Sequence, residues 1–242
     1  MRDQTLRSLR NWVGRAGLIV GLGVVFAISA MASTARVDEL IKTAMSLDAN
    51  PKRGAKLYYD QCQGCHGVRA EGDASDVVPS LAGQRQLYLV KQLADFVELE
   101  RESPEMHRKA AVAGLDAPQA IINVAAYLNA QPVLQQAQSG DGSLTELGEG
   151  VFREQCASCH GDDARGDEDG SVPSLRNQHY SYLLQQMRKI GAGHRADIDP
   201  DLVRFLESLD AEELAGVADY LSRLHGPVPD RRHMRSDGTV VD

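Results

Sequence analysis

The sequence predicts an all-α fold: two tandem copies of one helical unit, preceded by a single apolar amino-terminal helix. Three observations carry this. Apolar residues recur three and four apart along each half, and no strand-like alternation of any length appears. The pattern of one half returns in the other, in the same order and at matching offsets. An uncharged run from Ala16 to Ala35 follows a head that contains Arg2, Arg7, Arg10 and Arg15.

That head and run have the form of an export signal, with Ala30-Met31-Ala32 and Thr34-Ala35 as cleavage sites. About 20 uncharged residues also suffice to cross a hydrocarbon core as a helix. Arginines on the leading side alone fit an anchor whose head stays in the cytoplasm. Residues 1–35 are therefore read as a membrane anchor, with a cleaved signal as the alternative; the body is exported in both cases. Residues 36–53 follow as a tether or spacer helix, with Val37, Leu40, Ile41, Ala44, Met45 and Leu47 on an apolar stripe. Met45 reads as a packing residue.

The first repeat unit is placed at 54–130, a linker at 131–143, the second unit at 144–225 and a tail at 226–242. Gly54 and Gly148 stand at equivalent places near the start of each unit, ahead of Lys56-Leu57-Tyr58-Tyr59 and Gly150-Val151-Phe152-Arg153. Val78-Pro79-Ser80-Leu81 and Val172-Pro173-Ser174-Leu175 then open into middle helices. In the first of these Leu87, Val90, Leu93, Ala94 and Val97 share one side. In the second, Tyr182, Gln186 and Ile190 match Tyr88, Gln92 and Phe96. A final helix closes each unit, starting near Pro118 in the first and after Asp210, whose spacing from Glu213 is that of a capping box, in the second. About three helices per unit are expected. The linker is polar and holds Pro132, Gly140 and Gly142; the tail is rich in Pro, Arg and Asp.

The chemistry lies in Cys62-Gln63-Gly64-Cys65-His66 and Cys156-Ala157-Ser158-Cys159-His160, which use all four cysteines of the chain. Cys-x-x-Cys followed directly by His reads as covalent attachment of a c-type haem. Two thiols on one helical turn bond the porphyrin, and the adjacent His ligates the iron from the proximal side. A pair of disulfides would account for the thiols outside the cytoplasm but gives no reason for His66 and His160. Four Phe and one Trp are thin for two protein-only cores, and a haem in each would supply the missing apolar bulk. The formal net charge is −8, and the first 35 residues carry +3, which leaves −11 on the remainder. No basic groove or helix is present, which argues against a nucleic-acid partner; an acidic body is steered toward basic partners instead.

From Gly54 to Leu224 the chain resembles the class I cytochromes c. In its tandem arrangement it is similar to the di-haem cytochrome c4 group. The resemblance implies a tandem of two all-α cytochrome c domains with two covalently attached haem c groups. Cys62, Cys65 and His66 would hold the first, and Cys156, Cys159 and His160 the second. It implies that Pro79 and Pro173 offer a backbone carbonyl to the ring N–H of the proximal His, and that Tyr127 and Tyr220 pack the last helix on the first. Family members pass single electrons between membrane complexes and terminal oxidases or other acceptors. The expected partners are thus a redox donor and acceptor, such as a membrane oxidase or a quinol-oxidising complex. The expected place is the periplasmic side of a bacterial inner membrane, anchored, or soluble in the periplasm after cleavage.

The two halves part at the sixth iron ligand. Ser103-Pro104-Glu105-Met106 matches the family's distal methionine loop, so Met106 is the expected ligand of the first iron, with His107 as its neighbouring rival. In the second half Asp199-Pro200-Asp201-Leu202 takes that place, and Leu202 cannot ligate. His194, in Gly193-His194-Arg195, is the leading substitute. Met187 reads as a core residue and His179 as a helix-start residue, both weaker candidates; His225, His233 and Met234 lie at or beyond the last helix. An open, five-coordinate iron is the remaining possibility. On an imidazole or water ligand the second haem would have the lower potential, because the softer thioether favours Fe(II). Two functions stay in view: a di-haem electron carrier, or an enzyme subunit whose second haem has an open or exchangeable distal site.

Overall fold

The structure, a computed structural model, describes residues 34–224 except 134, 136, 168, 196 and 197. Among these residues the regular structure is helical throughout, apart from two isolated bridges, Asp73 with Val78 and Arg101 with Arg195. The first unit comprises α1 (34–45), α2 (Pro51–Gln61), α3 (Gln63–His66), α4 (Gln86–Val97), α5 (Pro104–Val112) and α6 (Pro118–Asn129). The second comprises α7 (Thr145–Val151), a π turn (Phe152–Cys156), α8 (Ala157–His160), α9 (Tyr180–Gly191), α10 (Pro200–Ser208) and α11 (Ala211–Arg223). The anchor or signal expected at 1–35 falls outside the described residues except for its last two positions. So does the tail at 226–242, with His233 and Met234, and so does His225. No helix among the described residues is long and apolar enough to cross a membrane.

Local chemistry sets the helix starts. Asn50 caps α2 by accepting from the Arg53 N–H at 3.1 Å, with Pro51 in the first turn, where a missing N–H costs nothing. The capping box of α11 forms: Asp210 accepts from the N–H groups of Glu212 and Glu213, and Glu213 accepts from the Asp210 N–H at 2.8 Å.

Two departures from the sequence reading stand out. The stretch around Met106 and its counterpart around Leu202 are helices, α5 and α10, rather than loops. Each has a capping side chain followed by proline, Ser103-Pro104 and Asp199-Pro200, the signature of a helix start. The stretch read as a tether also lies on the first unit. Val37 and Ala44 are buried, Leu40 and Ile41 pack on the core, and Arg36 pairs with Glu98 at 2.5 Å. The Asn50 N–H donates to Asn123 Oδ1 at 2.7 Å and closes the connection. Met45 is 42% exposed rather than packed, so the apolar stripe stops short of it.

In each unit the helix before the haem motif crosses the last helix at a glycine. A methyl group at Gly54 would overlap the Asn123 carbonyl, and one at Gly148 would overlap the Gly216 carbonyl. Backbone cannot yield as a side-chain end can, so the recurrence of glycine at this offset is a packing requirement. Gly148→Ala is expected to destabilise the holoprotein by about 3 kcal/mol, the upper range for overpacking, read as a lowered denaturation midpoint. Gly150→Ala, with nothing within 4 Å of the added carbon, is the control and should be neutral or stabilising.

The first unit has one continuous core around Tyr58, Val90, Ile121 and Ile122. The second has two: one around Phe152, Leu183, Tyr220 and Leu221, and a smaller one of Ile190, Leu206 and Leu214.

The units dock through reciprocal bonds. Gln178 accepts from the Ser80 N–H and donates to the Ser80 carbonyl, both at 2.9 Å. Gln84 accepts from the Ser174 N–H at 2.8 Å and donates to the Ser174 carbonyl at 2.9 Å. Each unit thus grips the loop just after the other's Pro79 or Pro173. His179 adds a bridge: Nδ1 accepts from the Gln138 N–H at 3.1 Å and Nε2 donates to the Glu71 carbonyl at 2.9 Å.

Candidate functional site

Each haem motif rides on a short helix that ends at its histidine. Gly67 and Gly161 follow with φ of 82° and 77°, a conformation that suits glycine and stops the helix there. The chain then turns back: the Gly72 N–H donates to the His66 carbonyl and the Gly166 N–H to the His160 carbonyl, both at 2.8 Å. Asp73 and Val78 exchange backbone bonds at 3.0 and 2.8 Å, and this small loop carries Pro79 to the histidine.

The result is the same in both units. His66 Nδ1 lies 3.2 Å from the Pro79 carbonyl oxygen, and His160 Nδ1 lies 3.1 Å from that of Pro173. A carbonyl can only accept, so each Nδ1 carries the proton and each Nε2 keeps its lone pair. Burial lowers the pKa of both rings, against the Pro79 and Pro173 carbonyls, which raise it, and so favours the neutral imidazole that a metal requires. Burial, with a smaller effect of the neighbouring thiol, pushes Cys62 and Cys156 up to about 11, while Cys65 and Cys159 are exposed. Paired cysteines beside a neutral, oriented imidazole fit covalent haem, and two disulfides would give no role to either imidazole.

The distal sides differ. Met106 sits in the first turn of α5, half-buried, and packs on the first core together with Cys62 and Leu93. His107 is committed elsewhere: its Nε2 donates to the Arg101 carbonyl at 2.7 Å, and its ring lies against Phe96. In the second unit Leu202 is 38% exposed. The structure does not bring His194, the expected substitute ligand, to the second core. Its side chain is 58% exposed and its Nδ1 faces Glu102 of the first unit at 3.4 Å, because α9 ends at Gly191 and the chain leaves toward the seam. His179 uses both ring nitrogens in its bridge. Met187 is half-buried in α9 and packs on both clusters of the second core.

A polar cluster at the seam was not read from the sequence. Arg101 and Arg195, 8% and 7% exposed, lie side by side with their backbones bridged. Arg101 donates to Gln92, to the Tyr182 hydroxyl at 2.8 Å and to Gln186 at 2.9 Å, and its guanidinium lies over Phe96. Arg195 donates across the seam to Gln92 at 2.9 Å. Burial raises the Tyr88 phenol, against the pull of both guanidiniums. Both guanidiniums are thus buried at the seam among amide and phenol groups drawn from both domains, and Gln92, which they share, also donates to the buried carboxylate of Asp95 at 3.0 Å. The signal was available: Arg101 and Arg195 are separated by the same offset as Cys62 and Cys156.

The family model for Cytochrome c matches residues 51–131 and again 145–225. The chain belongs to the cytochrome c family. It is 30% identical over 185 residues to the cytochrome c4 of Thiocapsa roseopersicina, covering 72% of this chain and 93% of that one. It is also 30% identical over 173 residues to the cytochrome c-552 of Acidithiobacillus ferridurans, covering 67% and 73%. The crystal structure of reduced recombinant cytochrome c4 from Pseudomonas stutzeri superposes with a TM-score of 0.64 at 26% identity, covering 74% of this chain and all of that one. The protein is a di-haem class I cytochrome of the c4-like kind, with haem c attached at Cys62/Cys65 and at Cys156/Cys159.

Proposed function

We propose that this di-haem cytochrome is an exported carrier that passes single electrons between a donor and an acceptor in a respiratory-type chain. The observation that supports it is the pair of matched His–Pro carbonyl sites, held in one docked body by the reciprocal Gln84 and Gln178 bonds. Each haem iron supplies a one-electron couple when bound. The protein's own part is to hold each proximal imidazole in one tautomer, to bury it, and to fix the two sites relative to each other. These are the requirements of a carrier, in which little should move between oxidised and reduced states.

On this reading residues 1–35 direct the chain to the periplasmic side of the inner membrane, as an anchor or as a removed signal, and 54–130 and 144–225 are the haem domains. Helix α1 then seats on the first domain instead of acting as a free spacer. The acidic body, −11 beyond residue 35, suits basic docking faces on a membrane oxidase or a quinol-oxidising complex.

The test is reconstitution. Holoprotein added to washed membranes of the source organism should restore quinol-driven oxygen uptake, with salt weakening the effect. The reading falls if the protein accelerates no transfer between membrane components, or if it turns over a small substrate alone with an artificial acceptor. Intact mass of the purified protein decides between an anchor, with residues 1–35 retained, and a signal, with the chain starting after Ala30, Ala32 or Ala35.

A further inference from the structure

We infer that Met187, on the middle helix of the second domain, supplies the sixth, sulfur ligand of the second haem iron. The inference rests on the di-haem reading and concerns which of the chain's own residues stands opposite His160.

The division of the second core is the first ground. Cys156 and Leu175, close to the attachment motif and Pro173, pack on the cluster of Phe152, Leu183 and Tyr220. Val203 and Phe205 of α10 pack on the separate cluster of Ile190, Leu206 and Leu214. Among the described residues, only Leu184 and Met187 pack on both. They lie one helical turn apart on one face of α9. Met187 is therefore located between the attachment side of the domain and the helix that replaces Met106-bearing α5.

The second ground is an exchange of residues between the domains. Leu93 of α4 and Met106 of α5 both pack on the first core. Met187 stands at the Leu93 position, and Leu202 on α10 stands where Met106 stands on α5. The thioether has moved from the distal helix to the middle helix, and a leucine has moved the other way. Between residues 145 and 224 Met187 is the only methionine.

The third ground is where the other described histidines of the second domain lie. His194 faces Glu102 in an exposed position, and His179 is bonded through both nitrogens. The polar side chains of α10 offer no neutral nitrogen or sulfur: Asp201 pairs with Arg204, and both are exposed. A thioether needs no deprotonation, is a soft ligand suited to haem iron, and swings on three rotatable bonds. A sulfur ligand on both irons also removes the ligand-based reason for a lower potential at the second haem.

The experiment uses the intact holoprotein. Haem content is first measured per chain, and the reduced protein is then examined by proton NMR, where an iron-bound methionine gives an upfield ring-current-shifted methyl signal. The expected result is two haems and two such signals. Met187→Leu should remove one signal while both haems remain attached, Met106→Leu should remove the other, and His194→Ala should remove neither. Met187→Leu should also raise the rate of carbon monoxide binding at one reduced haem by at least tenfold. Should that variant fail to accumulate, Met187→His serves instead, giving a bis-imidazole spectrum at one haem only. Two haems with a single shifted methyl signal that survives Met187→Leu would overturn the assignment and leave the di-haem reading standing. One haem per chain would overturn both.

Discussion

Met106→Ala is expected to convert the first haem iron from six-coordinate low spin to high spin, or to admit water, without loss of covalent haem. The thioether bonds at Cys62 and Cys65 are made elsewhere, so haem content should be unchanged. Met106 is held for ligation by its helix: Ser103 caps α5 and accepts from the Met106 N–H at 3.3 Å, Pro104 starts the first turn, and the side chain packs on the core that also holds Cys62. Removing the thioether should lower the midpoint potential of that haem by something on the order of 100 mV, since the soft ligand favours Fe(II). For one electron 59 mV is a factor of ten in equilibrium, so the variant should retain the electron poorly at that site. Optical and EPR spectra with a spectroelectrochemical titration check this. An unchanged low-spin spectrum that keeps its sulfur-to-iron charge-transfer band would exclude Met106. Ser103→Ala is the control: it removes a cap of about 1 kcal/mol and leaves the ligand, so the potential should barely move.

The parts of this molecule that a sequence states locally were legible in it. Cys62, Cys65 and His66 are adjacent in the chain, and their meaning does not depend on the fold. Pro79 and Pro173 could be matched through the family likeness, and the structure supplies the reason: a loop closed by Asp73 and Val78 carries the carbonyl to the ring. The capping box at Asp210 and Glu213 is likewise a local pattern, and it forms. What was missed depends on tertiary contacts. The match of Ser103 to Met106 with a distal methionine loop implies a loop, yet Ser103-Pro104 and Asp199-Pro200 are local helix-start signals, and α5 and α10 follow them. Histidine is a strong ligand, and the place of His194 between the middle helix and Leu202 makes it the leading substitute in the sequence. Its exposed place beside Glu102 follows from where α9 ends, which a one-dimensional reading does not give. A lone arginine in a loop reads as solvated, and the bonds from Arg101 to Tyr182 and Gln186 and from Arg195 to Gln92 exist only where the two domains meet.

The double substitution Gln84→Ala with Gln178→Ala is expected to uncouple the two domains while leaving each haem site intact. Both amides are buried, 9% and 7% exposed, and each satisfies one backbone N–H and one carbonyl of the opposite domain. Alanine at both positions leaves four seam groups without these partners, those of Ser80 and Ser174. The seam is only partly buried, so water can reach some of them, and the low end of the desolvation range, about 1 kcal/mol per group, is appropriate. The loss of docking free energy is then about 4 kcal/mol. His179, Arg101 and Arg195 remain, but their bonds require the same alignment of the domains. Calorimetry should show the domains melting in two resolved transitions, and the Ser80 and Ser174 amides should exchange with solvent at least 100-fold faster. Gln84→Glu separates chemistry from packing. It keeps the acceptor for the Ser174 N–H but turns a carboxylate oxygen toward the Ser174 carbonyl, so it should weaken docking nearly as much as alanine at that site. A double variant that melts in one transition at the wild-type midpoint, with both amides still protected, would mean that the other seam contacts, those of His179 and the guanidinium cluster among them, hold the domains together without the two glutamines.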